Sequence, residues 1–80
     1  MTELENHLKV LLRDRLLIEM LIDKSGKALI QSRVAHKEKP LDAKVTRASL
    51  AHRSNLYLLR RLDEEIRDTR VAIEVATKGV

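Results

Sequence analysis

Eighty residues, no cysteine, a single aromatic side chain (Tyr57) and a net charge of +4 set narrow bounds. They exclude disulfides and a Cys/His zinc site as staples, and such a length supports one domain at most. With 44% apolar residues, almost all Leu, Ile, Val and Ala, and 35% charged residues, the composition is that of long helices packed along their lengths, not of a globule built on large rings.

The first predicted helix spans about residues 3–36. Thr2 followed by Glu5 fits the Ser/Thr-x-x-Glu capping box, and Glu3 and Glu5 suit the positive end of the helix dipole. One apolar line runs through Leu4, Leu8, Leu11, Arg15, Ile18, Ile22, Ser25 and Leu29. Arg15 interrupts it and is expected to snorkel outward or pair with Glu19 one turn on. A second line, about 100° around the helix, holds Val10, Leu17, Leu21, Ala28 and Ala35, while Leu12, Leu16, Ile30 and Val34 widen the apolar arc on the other side. Only Lys9, Arg13, Lys24, Lys27 and Gln31 form a consistently polar strip.

One partner helix covers one such line. Leaving Leu17, Met20 and Leu21 wet forgoes roughly 1.5–3 kcal/mol for each large side chain that could be fully buried, against a usual total stability of only ~5–15 kcal/mol. The sequence therefore predicts that another polypeptide completes the packing. The simplest candidate is a second copy, two hairpins making a four-helix bundle; another helical protein is the alternative.

Asp23-Lys-Ser-Gly-Lys27 is the weak point of this helix. Gly26 costs ~1 kcal/mol against Ala, and Asp-x-x-Gly also suits a turn that would make residues 17–34 a β-hairpin. Neither flank alternates strictly, so a continuous or kinked helix is expected. Ser25-Gly26-Lys27 echoes the end of a phosphate-binding loop, but the earlier glycine is missing and Ala28 stands where Ser/Thr is required, so no phosphate nest is specified.

Residues 37–42 form the predicted connector. Pro40 can sit in the first turn of a new helix, and Asp42 suits its N-cap. The second predicted helix runs from about 42 to 78, with Lys78 in the last turn and Gly79 as the stop. Its line is Ala48, Ala51, Asn55, Leu58, Leu62, Ile66, Thr69, Ile73 and Ala76, with Leu59 beside it. Arg60–Glu64, Arg61–Glu65, Asp63–Arg67 and Arg70–Glu74 are spaced as outward-facing ion pairs. Asn55 on the line would fix register by demanding a hydrogen-bonding mate. Two helices of similar length with a short connector favour an antiparallel hairpin, a single domain over residues 1–80.

The acid-free window 43–62 carries Lys44, Arg47, Arg53, Arg60 and Arg61 together with His52. Such a patch can neutralise phosphates, which makes a small DNA- or RNA-binding regulator the alternative function. With a bend near His52–Ser54, Ser54 would cap a recognition-like helix over residues 55–62, as in a helix-turn-helix. Against this, the turn lacks a glycine, the apolar line runs straight through Asn55, and the bases spread around the helix.

Little else suggests chemistry. Glu3 and His7 lie one turn apart, but two ligands without a third do not make a metal site, and His36 and His52 are distant in sequence. No serine has a recognisable His/Asp context. A helical mutase of the chorismate type needs a set of inward Arg and Lys, and Arg15 alone is not a set. No enzyme activity, cofactor, metal or small-molecule substrate is expected. No apolar run approaches the ~20 residues of a membrane span, and the acidic start is unlike a secretory signal, so a cytoplasmic location is expected.

The opening Met1-Thr-Glu-Leu-Glu-Asn-His-Leu8 resembles the start of the small helical-hairpin co-chaperones that guard type III secretion needle subunits. The match covers these residues and fades afterwards; it implies a short hairpin whose whole function is to hold a partner. The expected function is accordingly protein–protein interaction, as an adaptor, inhibitor, co-chaperone or assembly factor. The interface residues are Leu11, Leu17, Ile18, Leu21, Ile22, Leu58, Leu62 and Ile66, burying area and doing no chemistry.

Overall fold

A computed structural model of the chain describes residues 2–37 and 43–78. Two helices make up the described fold: α1, Glu3–Ala35, of 33 residues, and α2, Ala43–Lys78, of 36 residues. At ~1.5 Å per residue each is on the order of 50 Å long, and the hairpin measures 63 × 16 × 13 Å. The expectations for Pro40, Asp42 and Gly79 lie outside the described residues.

The start of α1 follows from its capping chemistry. Thr2 is extended, and its Oγ1 accepts the Glu5 N–H at 3.2 Å while its hydroxyl lies 3.2 Å from Glu5 Oε1. An otherwise orphaned helix donor is thereby satisfied. The other end closes with the His36 N–H donating to Ser32 O at 2.9 Å.

The segment Asp23–Lys27 is helical throughout, so the β-hairpin alternative is not formed. Gly26 has no positive φ. Lys27 Nζ pairs with Asp23 Oδ2 one turn back at 3.1 Å, and Ser25 Oγ donates to Ile22 O at 3.1 Å, both contacts that need helical geometry. Gly26 faces α2, where an added Cβ would lie 3.4 Å from His52 Cε1.

The helices are antiparallel. Climbing α1, the cross-helix partners descend α2: His7 with Glu65, Arg15 with Asp63, Leu21 with Asn55, Ser25 with His52. In that register Leu11 comes level with Ile66 and Leu29 with Ala48. The inward positions of α1 are Leu8, Leu11, Arg15, Ile18, Ile22, Ser25, Leu29 and Ser32, alternating three- and four-residue steps. On α2 they are Val45, Ala48, His52, Asn55, Leu59, Leu62, Ile66, Thr69 and Ile73, in the same alternation. This is a coiled-coil seam, a single layer of side chains between two rods. A single layer seals little. Only Leu11, Leu29, Val45, Ile66 and Thr69 are buried among the described residues.

Candidate protein-interaction surface

The seam itself is rich in polar groups. Arg15, level with Leu62, cannot lie flat in an apolar layer. Its Nε donates to Asp63 Oδ1 at 2.6 Å across the hairpin, and an Nη reaches Glu19 one turn on. The hydrogen bond donated to Asp63, then the charges of Asp63 and Glu19, hold the guanidinium pKa above its ordinary value. One half of the sequence expectation, Glu19, is present; Asp63 is the partner that spacing along one helix could not reveal. At a second polar layer Ser25 Oγ lies 2.8 Å from His52 Nδ1. A hydroxyl has one proton. The arrangement that satisfies both contacts has Ser25 donating to Ile22 O and accepting from His52 Nδ1–H. Asn55, one turn on, donates to Leu21 O at 3.5 Å, the outer limit of a hydrogen bond.

Chemically, these groups are placed to hold the register of the two helices. Ser25 and His52 are a hydroxyl–imidazole pair, but among the described residues no carboxylate orients the imidazole from its other nitrogen, as a nucleophile–base pair requires. His7 faces Glu65 on α2 at 3.2 Å. No group of three or more potential metal ligands occurs among the described residues.

The residues singled out from sequence divide into two sets. Leu11 and Ile66, each 5% exposed, lie within the hairpin seam, with Ile18, Ile22 and Leu62 beside them half-buried. Leu17, Leu21 and Leu58 lie outside it, 54%, 49% and 47% exposed. Leu17 and Leu58 line one groove along the hairpin together with Asp14, Arg61, Glu65 and Asp68. Leu21 continues the same face one turn beyond Leu17, with Val10 and Ala28 further along. The opposite flank is apolar as well, with Leu16, Ile30 and Leu56 exposed, and Met20, Val34, Leu50 and Tyr57 are exposed too.

The seam of α2 differs from expectation at its ends, where Val45, outside the expected line, is buried and Ala76 is exposed, and again in its middle. Ala51 and Leu58 are exposed, and their neighbours His52 and Leu59 take the inward positions. The strict alternation counted from Val45 selects 52 and 59, and the small Ser25 and Gly26 opposite leave room for an imidazole.

The basic residues fall on both flanks. α2 is unbroken through His52–Ser54, so the helix-turn-helix bend is not formed. Arg61 shares the groove of Leu17 and Leu58. Lys44 and Arg47 lie farther along that same flank by heptad spacing. Arg53 lies on the other side with Arg33 and His36, and Arg60 sits with Leu56 and pairs with Glu64 at 3.8 Å.

No described helix is long and apolar enough to cross a membrane. Comparison of the chain with protein-family models, with curated proteins and with solved structures finds no match.

Proposed function

We propose that this chain is a helix–helix interaction module, whose work is to bind another helical surface along its apolar flank. The observation that carries the reading is the exposed line of Leu17, Leu21 and Leu58, running beside a seam already filled by the hairpin's own residues. The scale of exposure supports it. A compact chain of 9.2 kDa exposes about 4,900 Å² by the surface–mass scaling, whereas this hairpin exposes 6618 Å². The excess, about 1,700 Å² per chain, exceeds the ~800 Å² that each partner contributes to a standard interface. The function is binding: an adaptor, inhibitor, co-chaperone or assembly factor.

The test is capture from the native host with tagged wild-type chain and with a Leu17→Asp/Leu21→Asp variant, after circular dichroism has shown equal helix content. Proteins, or further copies of the chain, retained by wild type and lost from the variant support the module. Equal retention by both, or a wild type that retains nothing and runs as one copy at every concentration, overturns it. The competing reading, phosphate binding through Lys44, Arg47, Arg53, Arg60 and Arg61, makes a separate demand. Association with a random duplex must then be detectable at low salt and fall steeply as salt rises.

A further inference from the structure

Resting on the interaction-module reading, we infer that the occupant of the Leu17–Leu21–Leu58 flank is a second copy of this chain, packed end-for-end so that the acidic half of one flank meets the basic half of the other. The flank is polarised along its length. Towards the termini it presents Asp14, Glu65 and Asp68 around Arg61. Towards the connector, heptad spacing from Leu17 and Arg61 places Lys24, Lys44 and Arg47 on the same face. Asp14 and Lys24 have no ion-pair partner among the described residues, nor has Arg47.

The order of residues on α1 is its own complement in reverse. Reading outward from Glu19, Leu17 is matched by Leu21, Asp14 by Lys24 and Val10 by Ala28. A two-fold axis passing through this level, in the interface and perpendicular to the helices, lays α1 antiparallel on the partner's α1. Leucine then meets leucine, and each Asp14 meets the opposing Lys24, twice per dimer.

The hairpin's own register brings α2 into the same symmetry. Ser25 is opposite His52, so six residues back along α1 and six forward along α2 bring Glu19 level with Leu58. The axis that relates the two α1 helices thus passes Leu58, which meets its own copy, and Arg47 comes level with Asp68 of the other chain. Two helices satisfy one axis independently. A two-fold axis along the helices would instead set the acidic half against the acidic half, and like charges oppose that mode. In projection the face is of the order of 1,000 Å², enough for the ~800 Å² per partner of a stable dimer.

The experiment is sedimentation equilibrium on the purified chain at low salt, for wild type, Asp14→Lys, Lys24→Asp and the double swap. Each site lies on an exposed helical face, and circular dichroism confirms that helix content is kept. Wild type should sediment as a dimer. Either single swap should weaken dimerisation by about tenfold, since two attractions per dimer become two repulsions. The double swap should restore it to near the wild-type constant. A dimer indifferent to the single swaps, or one the double swap fails to rescue, overturns the end-for-end arrangement. A wild-type monomer overturns the second copy as occupant. If such a monomer still captures a different protein through Leu17 and Leu21, the interaction-module reading survives without this inference.

Discussion

At the scale of single residues, the hairpin is tuned by where small and polar groups interrupt its seam. Gly26 is the clearest case. Glycine in mid-helix gives up ~1 kcal/mol to alanine, and such a residue persists when something occupies the space a Cβ would need. Here the neighbour is His52 Cε1, and 3.4 Å is ordinary van der Waals contact. Gly26→Ala is therefore expected to stabilise the chain by up to ~1 kcal/mol, a rise of about 4–8 °C in melting temperature for a chain of this size. A thermal melt followed by circular dichroism checks it. A fall in the midpoint would mean that His52 cannot yield and that its contact with Ser25 matters more than helix propensity. Arg15 makes a different point about pH. Its pKa is raised by Asp63 and Glu19, so whatever it contributes is complete below the ordinary guanidinium pKa. That contribution is lost only as pH climbs through a still higher value, so guanidinium titration leaves stability at neutral pH untouched.

At the scale of the helices, two rods meet through one layer, and stability is concentrated in the few positions that layer seals. Leu11 and Ile66 sit level in that layer, whereas Leu16, one turn from Leu12, is exposed. Leu11→Ala should cost about 2–3 kcal/mol, the lower part of the usual range because a thin seam can collapse around the gap. Leu16→Ala should stay within about 0.5 kcal/mol. Urea unfolding of both variants reads the contrast, and equal losses would show that the opposite flank is packed as tightly as the seam. The three- and four-step pattern made the α1 seam legible from Leu8 to Leu29, because most inward positions there are apolar. On α2 the same rule was blurred by two parallel lines, Ala51–Leu58 and His52–Leu59. Apolarity favoured the first, and only the small residues of the facing helix explain why the second turns inward. Ion pairs were the least legible. Arg60–Glu64 is present, but Asp63, Glu65 and Glu74 turn to Arg15, His7 and Lys78. Pairs worth tenths of a kcal/mol yield to whichever cation the fold brings near, and the other helix is invisible to spacing along one. The exposed leucines of the flank, by contrast, were evident in sequence as more apolar circumference than one partner helix can cover.

At the scale of the whole molecule, the question is whether a rod of this thickness is a finished structure. The hairpin has a length of 63 Å and a width of two helices, and among the described residues no large side chain is fully sealed. A second copy laid on the Leu17–Leu21–Leu58 flank makes folding and assembly one equilibrium, and melting then depends on protein concentration. A tenfold rise in concentration contributes about 1.4 kcal/mol per dimer. For a four-helix bundle of twice this chain's length, that moves the midpoint upward by about 3–5 °C. Leu17→Asp places a carboxylate where leucine meets leucine, so its midpoint should be lower and independent of concentration. Melts of both proteins across a hundredfold range of concentration separate the cases. A wild-type midpoint that stays fixed over that range would mean that the hairpin's thin seam suffices alone. The open flank would then have to be reserved for a protein of different sequence, because its half-exposed leucines would be contributing nothing to the stability of the isolated chain.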